Sequence, residues 1–398
     1  MRILIATKWY SPYMGYAENL LPKALAQLGH DVHVVTSQAH IYFGTSRYSE
    51  IYASVHGSGI EPIGTTSIDG YQLHRLPTTL VGEKLGVSRV ASLVRELSPD
   101  IIQSFGAEDE LTLQLALIAS RTKIPFLCAS HTHVSTLRNG DIKGDLRVLR
   151  EAVRLRTSHR QRRVGKVAQR CYAIAPDCAT VAVRLFGIPR SKVVVEPLGV
   201  DSEIYNVSGQ DLTTRRKLRK RLGIPLDAIL CVYSGRLAQD KDPLALGHAV
   251  ENLRSEGERF SALFVGNGSS DYVSKLESID GTFLHPFATA TELRDLYLAS
   301  DIGVWPREES TSQLDAMATG LPLVLSDRVT AAERLGKYSM TYREGDVESL
   351  ASTLRSLRDP ALRRMMGGEA ARRIVDGLSW HAIAERRALF YQSLIADR

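Results

Sequence analysis

The chain has 398 residues, 44% apolar and 24% charged, with a formal net charge of +6. That length suits two or three folded domains at roughly 100–200 residues each, and the mix excludes long disorder, collagen-like repeats and a disulfide scaffold. Charge is uneven: residues 1–200 hold 24 Lys/Arg and 16 Asp/Glu (net +8) and residues 201–398 hold 26 and 28 (net −2), which suggests an anionic partner for the first half.

The predicted elements alternate between strand and helix. Residues 2–6 read as a short buried strand. After a loop with Pro12 and Gly15, Glu18 to Leu28 places Leu20, Leu21, Ala24, Leu25 and Leu28 on one helical face. Gly29 stops it, and residues 32–36 form the next strand. The unit recurs with strand 100–104, helix 111–120 and strand 125–130. In the second half strands are expected at 228–234, 261–265, 302–305 and 323–326. Helices are expected between them at 245–256, 292–300 and 312–319. Such alternation implies parallel sheets covered on both faces. The span exceeds one doubly wound sheet, so the expected fold is α/β, with two Rossmann-like domains facing across a cleft. The expected limits are 1–205, 206–375 and a terminal helix, 376–398, crossing back to the first domain.

Ligands of open parallel sheets bind at the carboxyl ends of the strands. Gly15 before a helix suits a phosphate approach or a plain tight turn. After strand 228–234, Arg236 and Lys241 leave one strand end together and either grip a diphosphate or form a solvated pair. After strand 302–305, Ser310 or Thr311 caps a helix whose N–H groups at 311–313 stay open, and Asp315 lies one turn in, suited to a ribose. His131 and His133 follow strand 125–130; with no third ligand in the pattern, no metal is expected. Ten Lys/Arg fall within residues 141–170, a basic amphipathic stretch suited to an anionic membrane, a solvated face or an anionic acceptor. No nucleic-acid motif accompanies it, so nucleic acid is not an expected partner. Residues 1–6 are too short for a signal peptide, and no run approaches about 18 apolar residues. The expected location is cytoplasmic, with peripheral contact at the inner face of the membrane. The four cysteines, Cys128, Cys171, Cys178 and Cys231, form no C-x-x-C pair and are expected as buried, reduced thiols.

In order and spacing these segments resemble the retaining glycosyltransferases of family four, which have the GT-B fold. The resemblance is carried by residues 11–18, 28–36 and 99–102, by Gly187–Val193 and by Glu196-Pro197-Leu198-Gly199-Val200-Asp201. Its strongest part is Gly235-Arg236-Leu237 with Lys241, Gly266-Asn267-Gly268 and residues 314–322; Ser379-Trp380-His381 opens the tail. The resemblance implies transfer of a hexose from a nucleotide diphosphate sugar to a glycan or lipid-linked acceptor, without a cofactor. A UDP-sugar is favoured over GDP-mannose. Arg236 and Lys241 would hold the diphosphate, with Gly15, Gly266 and the backbone of Ser310, Thr311 and Ser312 around it. Asp315 would meet the ribose and His131 the donor sugar, with Tyr13 and Tyr16 at the acceptor. The family's first carboxylate position falls on Arg307; either a one-residue shift brings Glu308 there or Arg307 takes its place. The other readings are a sugar-nucleotide epimerase on the same fold and a catalytically impaired donor-binding subunit. A dinucleotide oxidoreductase is set aside, because no G-x-G-x-x-G follows the first strand.

Overall fold

The computed structural model describes residues 1–12, 14–44, 48, 53, 57–81, 84–133, 161–208, 212–307 and 310–397. It forms two compact units: Met1–Leu198 with Ile383–Arg398, and Gly199–Ala382. These limits differ from 205/206 and 375/376. Val200 exchanges backbone hydrogen bonds with Leu378 and Trp380 (2.8 and 3.0 Å), and Tyr205 packs on Tyr297, which ties residues 199–206 and 376–382 to the second unit.

Unit 1 is built on an eight-stranded sheet. Its first strand, β1 (Arg2–Ala6), is buried from Ile3 to Ala6. Helix α1 (Ala17–Gln27) turns Leu21, Ala24 and Leu25 inward and leads to β2 (Asp31–Thr36). Then come β3 (Gly64–Ile68), β4 (Tyr71–Arg75), the separate hairpin β5 (Thr78–Val81) and β6 (Lys84–Val87), and α2 (Val90–Leu97). The rest is β7 (Ile101–Ser104), α3 (Glu110–Thr122), β8 (Phe126–Ser130), β9 (Arg170–Ala173), α4 (Pro176–Arg184) and β10 (Val193–Val195). The order is β10-β9-β8-β7-β1-β2-β4-β3. Every pairing is parallel except β3 with β4, an antiparallel edge not foreseen from the sequence. Strand order reverses between β1 and β7.

Unit 2 carries α5 (Leu212–Arg221), β11 (Ile229–Ser234), α6 (Pro243–Ser255), β12 (Phe260–Val265), α7 (Ser270–Glu277), β13 (Thr282–His285) and α8 (Ala290–Ala299). It continues with β14 (Ile302–Trp305), α9 (Thr311–Ala318), β15 (Leu323–Ser326), β16 (Ser339–Tyr342), α10 (Val347–Ser356) and α11 (Pro360–Gly377). The sheet, ordered β13-β12-β11-β14-β15-β16, is wholly parallel. This is the doubly wound dinucleotide-fold order, with its switch between β11 and β14. Strands β12, β14 and β15 are buried end to end, which is why they read as unbroken apolar runs. The last helix, α12 (Trp380–Ala396), belongs to unit 1 from Ile383 onward. All four cysteines are buried and unbridged. No helix among the described residues is long and apolar enough to cross a membrane.

Candidate active site

The carboxyl edge of unit 2 gathers most of the expected residues at its switch point. Strand β11 ends at Ser234, whose carbonyl accepts hydrogen bonds from Trp305 Nε1 (3.0 Å) and Ser312 Oγ (3.2 Å). The Ser234 hydroxyl lies 2.6 Å from the Tyr297 hydroxyl, which donates to the Ser312 carbonyl at 3.3 Å. These bonds pin the first turn of α9 beside the end of β11. Ser310 holds the N-cap position without capping through its side chain; its Oγ meets Ser312 Oγ at 2.8 Å. The Gln313 N–H already donates to the Ser310 carbonyl at 3.2 Å. The expected open N–H groups at 311–313 therefore reduce to Thr311 and Ser312, which find no backbone acceptor among the described residues.

The loop after β11 carries the two cations. Gly235 and Leu237 donate to Val265 and Asn267, so the loop runs beside the end of β12. Gly266 has φ +144°, and a Cβ there would overlap the Gly235 carbonyl. Its missing side chain thus serves the close approach of the two strand ends. Arg236 Nη2 pairs with Asp240 at 2.6 Å, both about half exposed. Such an exposed pair is weak in water, so the guanidinium can be drawn to another anion at little cost. Lys241 is half-buried five residues on.

Arg307, after β14, spans to the same loop, 3.4 Å to Asp242 and 3.4 Å to the Gln239 carbonyl, and lies 3.9 Å from Glu344, which follows β16. Tyr342 donates to the Pro306 carbonyl at 2.7 Å and steadies that turn. Asp242 and Glu344 were missed in the sequence because their partner lies 65 and 37 residues away. Asp315 is half-buried in α9; burial pushes its carboxyl up to about 7, with the Asp201 charge adding. Tyr205, with a hydroxyl raised by burial and by Asp315, is a second missed neighbour. Glu308 and Tyr13 lie outside the described residues.

The carboxyl edge of unit 1 places the others. Gly15 adopts φ +68° and would meet nothing with a Cβ, so the turn, not crowding, selects glycine. The Tyr16 N–H donates to Asn19 Oδ1 at 3.2 Å and opens α1. Burial raises Glu18 in that first turn to about 7. His131 follows β8 and stands edge-on to Phe105, centroids 5.8 Å apart. Burial, then the charges of Arg387 and His133, push its imidazole down to about 4. His133 Nδ1 lies 3.1 Å from Asp177, and their ligand atoms group with Cys178 within 4.8 Å, a cluster the sequence spacing did not show. Of the basic run, residues 141–160 lie outside the described residues. Residues 161–167 are helical with Arg162, Arg163 and Lys166 exposed, whereas Arg170 stacks on Phe390 at 3.3 Å, so it is not a solvated cation.

Comparison with known proteins decides the family. The profile of Glycosyltransferase Family 4 matches residues 20–204, and that of Glycosyl transferases group 1 matches residues 228–359. This chain belongs to glycosyltransferase family four. It is 27% identical to a D-inositol 3-phosphate glycosyltransferase of Kineococcus radiotolerans, over 95% of this chain and 89% of the relative. It is 24% identical to the sulfoquinovosyl transferase SQD2 of Arabidopsis thaliana, over 94% and 69%. Among solved structures, HepE of Anabaena in complex with UDP superposes with a TM-score of 0.70 at 16% identity, covering 99% of this chain and 100% of that one. Sucrose-phosphate synthase of Thermosynechococcus elongatus gives 0.69 at 15% identity, with both chains fully covered. The glycosyltransferase thus has the GT-B architecture of two Rossmann-like units.

Proposed function

We propose that this glycosyltransferase moves a hexose from a nucleoside diphosphate sugar, with retention of anomeric configuration, onto a glycan or lipid-linked acceptor. The observation that carries the reading is the loop after β11, where Arg236 and Lys241 leave the switch point beside the N-terminus of α9. Breaking the sugar–phosphate bond adds negative charge to the leaving diphosphate. A guanidinium, an ammonium and the N–H groups of Thr311 and Ser312 supply fixed counter-charge there, which is the largest kind of catalytic contribution. They take the place of a divalent ion. Asp315 accepts from the ribose hydroxyls, and Gly15 lets the unit 1 loop approach the phosphates. His131 hydrogen-bonds the donor sugar, Tyr16 and Tyr13 face the acceptor, and Glu308 or Arg307 meets the far hydroxyls. The HepE complexes with UDP and UDP-glucose favour a uridine donor over GDP-mannose. The reaction is cytoplasmic, with residues 141–170 touching the inner face of the membrane; sedimentation with liposomes that ignores anionic lipid and salt rejects that contact.

The test is the double variant Arg236→Ala, Lys241→Ala. Transfer should fall by roughly 10²–10⁴, with circular dichroism unchanged, since both side chains lie in a surface loop. Unchanged turnover rejects the reading. Incubation with donor alone separates the epimerase, which would return an altered sugar nucleotide.

A further inference from the structure

Three unlike donor side chains meet at the carboxyl edge of unit 1. His133 follows β8, and Asp177 and Cys178 stand in the first turn of α4. His133 Nδ1 lies 3.1 Å from Asp177 Oδ2, and the Cys178 sulfur joins them, all three ligand atoms falling within 4.8 Å of one another. The sequence pattern offered the histidines no third ligand because Asp177 lies 44 residues beyond His133, with Cys178 next to it.

An imidazole and a carboxylate by themselves need only a shared proton. The sulfur beside them gives the group a different chemistry. Zinc bonds of about 2.0–2.1 Å to nitrogen and oxygen and about 2.3 Å to sulfur put the ligands of one tetrahedral ion roughly 3.3–3.6 Å apart. The His133–Asp177 separation is already close to that spacing, and the sulfur has at most about 1 Å to travel. Further contacts hold the donors in place. Asp177 Oδ1 accepts the Cys178 N–H at 2.9 Å, which leaves Oδ2 toward His133. Ser130 Oγ, at the end of β8, donates to the Cys178 carbonyl at 3.1 Å and fastens the thiol-bearing turn to the strand that leads to His133. Outer contacts of this kind orient the ligands of a metal. Cys178 is fully buried, whereas the side chains of His133 and Asp177 are 37% and 41% exposed, so an ion enters from solvent and ends against the sulfur. The partial positive charge at the N-terminus of α4 favours the thiolate, the form that takes a metal.

We propose that His133, Asp177 and Cys178 form a zinc site. A thiolate selects thiophilic ions over Mg²⁺ and Ca²⁺, and imidazole with carboxylate suits Zn²⁺. Three protein ligands leave a fourth position, on the exposed side, to water or an outside donor. The ion replaces the thiol proton and the proton shared between imidazole and carboxylate, and both pass to solvent. It ties the segment after β8 to α4. None of its ligands is a residue assigned above to the diphosphate, the sugar or the acceptor, so the site stands apart from whether the chain transfers hexose.

The test uses the full chain, reduced with a phosphine, stripped by a chelator and titrated with Co²⁺, which takes up zinc's tetrahedral geometry and reports its ligands by colour. The parent should bind one Co²⁺ with the visible bands of a tetrahedral ion and a near-ultraviolet sulfur-to-cobalt charge-transfer band, both removed by one equivalent of Zn²⁺. Cys178→Ser should lose the charge-transfer band. His133→Ala and Asp177→Asn, both at partly exposed positions, should each weaken Zn²⁺ binding by at least about tenfold, since loss of an outer contact alone costs about 10–100-fold. Those two variants carry the test if circular dichroism shows that Cys178→Ser has lost its fold. A parent that takes up Co²⁺ without a sulfur band holds an adventitious surface ion only, and the proposal falls. A band that survives Cys178→Ser overturns it as well, as does a Zn²⁺ affinity unchanged in both exposed variants.

Discussion

Asp315 shows how one side chain can hold function against stability. Its ordinary carboxyl value is 3.8, and burial with the Asp201 charge raises it to about 7. The folded state therefore holds the proton more tightly than the unfolded chain, and its stability falls as pH climbs from about 4 to about 7. Under the proposed function donor binding needs the opposite form, the carboxylate, to accept the ribose hydroxyls. The donor KM should accordingly rise as pH drops below 7. Asp315→Asn should raise KM about tenfold at pH 8, the worth of a hydrogen bond to a charged group, and flatten its pH dependence. The same variant should unfold at a higher temperature than the parent at pH 8. Steady-state kinetics and a melting curve at two pH values check both halves. The position of Arg236, Lys241 and Asp315 at the carboxyl edge of unit 2 was legible in the sequence because each follows a strand end at short range. Tyr205 and Asp201 beside Asp315 were not, since 110 and 114 residues intervene and nothing in local patterning links them.

At the scale of elements, helix α5 is informative. The run from Leu212 to Arg221 has no acidic residue and reads as a solvated basic helix at a domain boundary. Two of its arginines are turned inward. Arg215 and Arg219 each reach Asp301 at 2.7 Å, and Asp301 Oδ2 also accepts the Leu230 N–H at 2.8 Å. Arg219 is 2% exposed and adds bonds to the carbonyls of Ala299 and Ala228. Asp301 thus joins α5, the end of α8 and the start of β11. Asp301→Ala removes the carboxylate that two guanidinium groups and a backbone donor share, and should cost about 3–5 kcal/mol, read by urea denaturation. Loss below about 1 kcal/mol would mean that Leu218 and the arginine bonds to backbone carbonyls hold α5 without the carboxylate. The core strands were legible because burial on both faces makes them continuous apolar runs. The β3–β4 and β5–β6 hairpins were not: Gly64-Thr65-Thr66-Ser67 is polar and exposed, with no alternation to mark it. Helix α11 was missed for a related reason, since six arginine and acidic positions are strewn through it.

For the whole molecule, two predictions follow from linkage. Within unit 1, His33 Nδ1 meets His74 Nε2 at 3.0 Å, and His74 Nδ1 meets Thr65 Oγ1 at 3.0 Å. Burial, then the His33 charge, lower His74 from 6.5 to about 4. A base held below its unfolded value stabilises the fold fully above pH 6.5 and loses that contribution as pH falls toward 4. The stability advantage of the parent over His74→Gln should shrink across that window; an advantage constant with pH contradicts the burial argument. A sugar nucleotide that binds only the folded state should raise the melting temperature with log concentration, by about 2.7 kcal/mol of stability at a hundredfold excess over Kd. A panel of UDP- and GDP-sugars, with Arg236→Ala, Lys241→Ala as the blank, then names the donor. The two-unit plan was legible from repeated strand–helix alternation. The exact seams were not, because they are set by the pairing of Val200 with Ser379, 179 residues apart.

That pairing has an architectural consequence. Unit 2 is one uninterrupted stretch of chain whose entry and exit lie side by side on a parallel bridge, while unit 1 is assembled from two separate stretches. Unit 2 is thus spliced into its host like a cassette with adjoining ends, the geometry that lets a segment be lifted out or exchanged without unravelling what surrounds it. Its host is the less forgiving partner. Without the last sixteen residues, Gln103, Tyr172 and Glu196 would lose the helix that covers them.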